Sequence, residues 1–273
     1  MTELSADRVE LSQFLERHDY QVAVEGLRDT LRGHLIEILG GDWEKIHTDL
    51  RMYTINCRCK RVPRTLEKFD ALTKKPAING AINAKNFYEH MPDLAAARLV
   101  VVDPGDLFNL AERVRLGCLS PDFEPPGEAF KWPCRVRHGK FSMYDTARFR
   151  EAGYHVEEEA AGYCSVHFVF RTGTSFFSSE CPSDKRKCIR ELAKAGVIPM
   201  TGWRVEVQVR TLMDEAWGET DHLVRYEDQE LRDDPAITRQ FTALSGYLQA
   251  ANYHVSLIRE MAKTLTDKRK EMQ

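Results

Sequence analysis

The composition of this 273-residue chain is that of a globular protein, with 42% hydrophobic and 30% charged residues. This balance excludes a disordered chain, and the formal net charge of -3 excludes a protein coated with basic, nucleic-acid-binding residues. No apolar run is long enough to predict a transmembrane helix, and the first ten residues lack the pattern of a signal peptide. The seven scattered cysteines indicate reduced thiols, so we expect a cytoplasmic protein without a membrane partner.

Hydrophobic periodicity predicts alternating helices and strands along the first half of the chain. They are, in order, a helix over 8–39, a strand over 52–62, a helix opened by Pro63, a buried strand over 94–102 and a helix over 106–116. Residues 117–134 contain four of the eleven prolines, and we expect an irregular excursion there.

The second half supplies two more strands and ends in helices. Alternating segments predict strands over 162–170 and 203–211, and the residues between them carry a short helical pattern with a basic cluster at 185–187. Helical periodicity then continues on both sides of Pro235. Strands interleaved with helices, and framed by helices at both ends, predict an α+β domain with a mixed sheet.

The predicted strands carry polar side chains on one face each, because residues two apart in a strand share a face. These sets are Arg58 with Lys60, Tyr163 with Ser165 and His167, and Glu206 with Gln208 and Arg210. A solvated sheet face shows the same alternation, so no single strand establishes a site. Two acids, Asp93 and Glu206, among several cations are nevertheless the set that metal-assisted phosphoryl transfer requires.

Several short motifs then occur in an order that is typical of one enzyme family. They are R-x-K at 58–60, D-L-A-A-A-R at 93–98, G-Y-C-S-V-H at 162–167, E-V-Q-V-R-T at 206–211 and W-G-E-T-D-H at 217–222. In this combination the sequence resembles the synthetase domain of the RelA/SpoT family, the alarmone synthetases. The resemblance covers residues 45–230, which leaves a helical segment at 1–44 and an amphipathic helix at 231–273.

The resemblance implies a nucleotidyltransferase-like fold, a mixed sheet flanked by helices, in a stand-alone synthetase. It implies a reaction in which the β,γ-pyrophosphate of ATP passes to the 3′-hydroxyl of GDP or GTP, giving (p)ppGpp and AMP. The cofactor would be Mg²⁺ or Mn²⁺, bound by Asp93 and Glu206. Glu206 would also orient or deprotonate the attacking hydroxyl.

The resemblance also assigns residues to the two nucleotides. The residues implied for ATP are Arg58, Lys60, Lys68 and Arg98. Guanidinium planes suit stacking on adenine, and ammonium groups suit contacts with phosphates. The residues implied for the acceptor nucleotide are Tyr163, which would stack on the base, His167 and Gln208.

Departures from the family's pattern leave other acceptors open. Ala96 replaces a common glycine, and Cys164 replaces a frequent basic residue. The regions 117–160 and 171–202 carry basic residues that we expect to flank the acceptor pocket, which would suit transfer to the 3′ end of tRNA or to adenosine nucleotides. A different hypothesis is that the chain is not an enzyme but a catalytically inactive module that binds nucleotides. An antitoxin partner and a homo-oligomer stay open.

Overall fold

Helices and strands alternate along the chain, as the sequence predicts. The computed structural model describes residues 6–74, 82–118, 122–124, 134–159, 162–177, 180–224, 231 and 234–272. Its helices are α1 (Ala6–Leu15), α2 (His18–Leu39), α3 (Trp43–Asp49), α4 (Val62–Thr73), α5 (Pro104–Gly117), α6 (Thr146–Glu151), α7 (Ser183–Lys194), α8 (Leu212–Val224) and α9 (Pro235–Glu271), with a 3₁₀ helix at Phe87–Glu89. Its strands are β1 (Met52–Cys59), β2 (Ala95–Val101), β3 (Phe123–Glu124), β4 (Cys134–Gly139), β5 (His155–Glu159), β6 (Ser165–Thr172) and β7 (Arg204–Thr211).

The strands form one mixed sheet in the order β1-β2-β7-β6-β4-β5, with β3 paired to β6. β2 runs parallel to β7 and β4 runs parallel to β5, whereas the other pairs are antiparallel. In the centre of the sheet Ala96 lies opposite Glu206, and Gln208 lies opposite both Arg98 and His167. The register therefore brings distant motifs to neighbouring positions. The predicted α+β fold, a mixed sheet flanked by helices, is confirmed.

The sheet has one apolar face and one polar face. On the apolar face Val205, Val207 and Val209 of β7 are completely buried, and α2 packs over β1 and β2 with Leu27 and Leu31 completely buried. Each such side chain contributes about 1.5–3 kcal/mol when it leaves water. The alternate positions of β7, β2 and β6 point to the other face and carry the polar side chains, which leaves that face for a site.

The N-terminal helical run is divided in two, so the prediction of one helix over 8–39 is wrong at this point. Arg17 adopts an extended conformation between α1 and α2, with φ -64° and ψ 133°. Its guanidinium pairs with Asp19 at 2.5 Å, and Asp19 Oδ1 accepts a hydrogen bond from the backbone N–H of Tyr20 at 2.9 Å. Asp19 lies in the first turn of α2, so this bond satisfies a backbone donor at the start of a new helix, and hydrophobic periodicity does not reveal it.

No strand is predicted in the region 117–160, but it contains three strands of the sheet, β3, β4 and β5. β4 and β5 lie at one edge, where Arg137 Nε donates to Glu159 Oε1 at 2.6 Å. β4 alternates Cys134 and Val136 with two arginines over only four residues, and β5 carries glutamates on both faces, so neither strand gives a sustained apolar alternation. The parts of this prediction that fall on 119–121, 125–133 and 160 lie outside the described residues.

The basic cluster at 185–187 lies on α7, away from the polar face of the sheet. Lys185 Nζ pairs with Asp29 of α2 at 2.7 Å and with Glu25 of the same helix at 3.1 Å. Because α2 covers the apolar face, the expectation that this cluster flanks the acceptor pocket is wrong. In the first basic region, Arg137 lies on the polar face opposite Ser165.

α9 packs across the strand ends near the polar face. Ser245 Oγ donates to the carbonyl of Gly162 at 3.1 Å, and Asn252 Nδ2 donates to Thr211 Oγ1 at 3.1 Å. Gly162 has φ +87°, a backbone conformation that favours glycine, and a Cβ there would clash with Ser245. The glycine of the G-Y-C-S-V-H motif is therefore required both by its backbone conformation and by the space available. Within the part of the chain that the structure describes, no helix combines the length and hydropathy of a membrane span.

Candidate active site

Asp93 lies directly before β2 and between two lysines. Its Oδ2 accepts a hydrogen bond from Lys60 Nζ at 2.5 Å, and its Oδ1 accepts one from Lys68 Nζ at 2.6 Å. Lys60 follows β1 and Lys68 lies on α4, so three segments converge here. Burial alone would raise the pKa of Asp93, but the charges of Lys68 and Lys60 outweigh burial and lower this pKa. Asp93 is therefore ionised at neutral pH.

Glu206 of β7 is the second carboxylate. Its Oε1 accepts a hydrogen bond from His167 Nδ1 at 2.9 Å, and its Oε2 accepts one from Gln208 Nε2 at 3.0 Å. Burial acts to raise the pKa of Glu206, but the hydrogen bond from His167, the positive charge of His167 when it is protonated and the charge of Lys68 outweigh burial, and the pKa is lowered to about 2. Lys68 therefore acts on both carboxylates and links them electrostatically.

A chain of hydrogen bonds runs from Arg210 to Glu206 and fixes the protons of the groups between them. Arg210 Nη2 can only donate, and it donates to Tyr163 Oη. The ionised Glu206 can only accept, so His167 carries a proton on Nδ1 and donates it to Glu206. In the neutral ring Nε2 then accepts from the Tyr163 hydroxyl, 3.1 Å away. Burial lowers the pKa of His167, in agreement with a neutral ring.

Glu215 of α8 joins two arginines on the polar face. Its Oε1 accepts a hydrogen bond from Arg98 Nη1 at 2.8 Å, and its Oε2 accepts one from Arg210 Nη1 at 3.1 Å. Glu219, one helical turn further, also accepts from Arg98. The side chain of Arg98 is 12% exposed and that of Arg210 only 4%. Both guanidinium groups are thus largely withdrawn from water and held by carboxylates.

Tyr163 has cationic and aromatic neighbours. The guanidinium carbon of Arg210 lies 4.9 Å from the centre of the tyrosine ring, and that of Arg137 lies 5.1 Å from it. The buried Trp217 meets the ring edge-on at 5.8 Å and is fixed by a hydrogen bond to the carbonyl of Phe241. A base that stacks on Tyr163 must therefore share or replace one of these contacts.

The structure brings the predicted site residues to one region of the polar face. The first group consists of Asp93, Lys60 and Lys68, and the second of Glu206, Gln208, His167 and Tyr163. Arg98 joins the second group through Glu215 and Arg210. Arg58 is exposed on β1 and lies opposite Ala96, which places it on the same face beside Arg98.

Three residues of this region, Arg137, Arg210 and Glu215, were not among the predicted site residues. Arg210 shares a strand face with Glu206, so alternation gave a signal for it, although a structural ion pair explains the same pattern. Glu215 gave no such signal, because its contacts join elements that are far apart in the sequence, and Arg137 was predicted only as one basic residue of the region 117–160.

The two carboxylates are a donor set that suits Mg²⁺ or Mn²⁺. Mg²⁺ prefers oxygen ligands and commonly uses one or two carboxylates together with substrate phosphates. Both oxygens of Asp93 accept hydrogen bonds from ammonium groups, so the carboxylate already stabilises positive charge beside it. Among the described residues no group of three Asp, Glu, His or Cys side chains is arranged to hold a metal. Substrate phosphates would therefore complete the coordination.

Comparison with solved structures identifies the fold. No protein-family model and no curated protein matches the sequence. The structure matches that of the small alarmone synthetase 1 from Bacillus subtilis over 93% of this chain and 98% of that chain, with 18% sequence identity and a TM-score of 0.54. The chain has the fold of the small alarmone synthetases.

Two further structures share the small-alarmone-synthetase fold. A GTP pyrophosphokinase family protein from Streptococcus pneumoniae is 17% identical, with a TM-score of 0.53 over 94% of this chain and 96% of that chain. The Bacillus subtilis synthetase bound to its product pppGpp is 16% identical, with a TM-score of 0.53 over 93% and 99%. The predicted resemblance to the alarmone synthetases is thus confirmed at the level of the fold.

Proposed function

We propose that the chain is a pyrophosphokinase that transfers the β,γ-pyrophosphate of ATP to the 3′-hydroxyl of GDP or GTP, giving (p)ppGpp and AMP. The observation that carries the proposal is the convergence of two ionised carboxylates, Asp93 and Glu206, on the shared cation Lys68. Acids that hold a divalent ion and cations that neutralise phosphate oxygens are what phosphoryl-type transfer requires. The fold supports it, since the Bacillus subtilis synthetase has been solved with pppGpp and with AMPCPP.

ATP would occupy the part of the polar face between β1, β2 and α4. Lys60 and Lys68 would turn from Asp93 to the phosphates, and Arg58 and Arg98 would pack on the adenine. Mg²⁺ or Mn²⁺ held by Asp93 and Glu206 would neutralise charge on the phosphate oxygens. Arg98 is suited to stacking, because Glu215 and Glu219 hold one edge of its guanidinium plane.

The acceptor would lie beside β6 and β7, with its base on Tyr163 and its ribose near Glu206. A carboxylate whose pKa is about 2 is a weak base at neutral pH, so we propose that Glu206 orients the 3′-hydroxyl rather than removing its proton. The 3′-oxygen forms a bond to the β-phosphorus while the bond from that phosphorus to the α,β-bridging oxygen breaks, AMP leaves, and the hydroxyl proton passes to water. His167 and Gln208 hold Glu206 in place for this role.

The basic regions around the site bear on the identity of the acceptor, because a polyanion such as tRNA needs more positive surface than a free nucleotide does. The position of α7 on α2 removes one of the two basic regions that favoured tRNA, which supports a free nucleotide as acceptor. Transfer to adenosine nucleotides or to the 3′ end of tRNA is the alternative, and a catalytically inactive nucleotide-binding module is the second. An antitoxin partner and a homo-oligomer stay predictions.

The test is product analysis with ATP labelled in the γ-phosphate. The chain and Mg²⁺ would be offered GDP, GTP, ADP, AMP and deacylated tRNA separately, with Glu206→Gln as the matched control in each reaction. Label on a guanosine nucleotide, together with AMP release, supports the proposal. Label only on tRNA or adenosine nucleotides would assign the alternative acceptor. Absence of transfer to every acceptor would favour the inactive module.

A further inference from the structure

Glu215 is the one described carboxylate that contacts both Arg98 and Arg210. Its two oxygens are divided between them, Oε1 to Arg98 at 2.8 Å and Oε2 to Arg210 at 3.1 Å. The Glu215 side chain is 17% exposed, so this bridge is largely shielded from water. Interactions between charges are stronger in such a place than on an open surface.

The charge balance of the bridge makes its arrangement depend on Glu215. Two guanidinium groups that share one carboxylate would repel each other without it, and both are too buried for water to replace its hydrogen bonds fully. Glu219 does not substitute for it, because Glu219 contacts Arg98 and its side chain is 59% exposed. One buried acid therefore sets the position of both arginines.

The two arginines serve opposite halves of the site. Arg98 is the residue proposed to pack on the adenine of ATP. Arg210 donates to Tyr163 Oη and to Gln208 Oε1, two side chains proposed for the acceptor. A displacement of Arg98 by a bound nucleotide is thus transmitted through Glu215 to Arg210, and the reverse holds equally.

We propose that Glu215 is a positioning residue that couples binding of ATP to binding of the acceptor nucleotide. The inference rests on the proposed function, because it assigns the two halves of the site to the two nucleotides. Coupling of this kind is reciprocal, so the acceptor tightens ATP binding by the same factor by which ATP tightens acceptor binding.

Glu215→Gln is the informative variant, because it keeps the size of the side chain. The amide offers one carbonyl oxygen and one NH₂ group, so it accepts from one arginine and presents a donor to the other. The bridge is then broken on one side, whichever way the amide turns. Glu219→Gln is the matched control, since it removes a charge from Arg98 and leaves the bridge to Arg210 intact.

The experiment measures the affinity for AMPCPP by calorimetry, with Mg²⁺ and with or without saturating GDP. In the unmodified chain GDP should tighten AMPCPP binding at least about five-fold. In Glu215→Gln the ratio should fall to about one, and in Glu219→Gln it should stay near the unmodified value, even where AMPCPP binds more weakly. Thermal unfolding checks that each variant is folded, and Glu215→Asp, which keeps the charge, replaces Glu215→Gln if that variant does not fold.

The outcomes separate this inference from the function on which it rests. Coupling that persists in folded Glu215→Gln, or that is absent from an unmodified chain that binds both nucleotides, would overturn the inference and leave the proposed function standing. An unmodified chain that binds neither AMPCPP nor GDP would overturn both. A loss of coupling in Glu219→Gln as large as in Glu215→Gln would also overturn it, since the effect would then belong to Arg98 alone.

Discussion

The low pKa of Glu206 predicts how the stability of the chain depends on this carboxylate. The pKa is about 2 in the folded chain against an ordinary value of 4.5, and a charged His167 supplies part of this difference. Near pH 7 His167 is neutral, so the part that acts there corresponds to about 1–3 kcal/mol. The folded chain holds the ionised form more strongly than the unfolded chain does, and this contribution is lost as the pH falls toward about 2. Glu206→Gln keeps the shape without the charge, so it should lower the free energy of unfolding by about 1–3 kcal/mol near pH 7.

Urea unfolding followed by tryptophan fluorescence measures this effect, because Trp203 and Trp217 are buried and report loss of the core. The gap between the unmodified chain and Glu206→Gln should be present near pH 7 and should close as the pH falls toward about 2. Glu158→Gln, which neutralises an exposed carboxylate on β5, is the matched control and should follow the unmodified chain throughout. A gap that does not change with pH, or no gap near pH 7, would refute the reasoning.

Three further predictions concern activity and the buried polar groups. Glu206→Gln should lower the rate of pyrophosphate transfer by at least about 100-fold in a labelled-ATP assay, and near-normal turnover would contradict the role of its charge. Tyr163→Ala should raise the KM for the acceptor more than the KM for ATP, and an equal rise in both would argue against stacking. Asp214→Ala should lower the free energy of unfolding by about 3 kcal/mol in urea, because it leaves the buried donors of Tyr144 and Gln249 without their acceptor; an unchanged midpoint would contradict this.

The central strands and most of the site could be predicted from the sequence, because alternation and chemistry coincide there. β7 alternates valine with Glu206 and Gln208, and this single pattern predicts the strand, its buried face and its functional face. The same argument predicts β6 with His167. Lys68 was predicted on a helix opened by proline, and α4 carries it. In each case the information lies within one element.

The features that could not be predicted depend on contacts between elements. β4 alternates apolar and charged residues only over 134–137, β5 carries glutamates on both faces, and the pairing of Arg137 with Glu159 joins the two strands. Glu215 lies on a helix whose sequence gives no sign that Arg98 stands opposite. The extended conformation of Arg17 and the bonding of Asp19 at the start of α2 leave no signal in the hydrophobic periodicity. The pattern of residues within one helix or strand does not show contacts of this kind, because they depend on how separate elements pack together.

The parallel pairing of β2 with β7 has a consequence for the order in which the candidate site assembles. Ala96 and Glu206 are neighbours in the sheet but about 110 residues apart along the chain, and such long-range pairs form slowly because a large loop must close first. Helices such as α2 and α9 depend on local contacts and can form before this step. Glu206 takes its place beside β2 only after this step. A chain interrupted during synthesis before β7 would therefore contain Asp93, Lys60 and Lys68 but not Glu206.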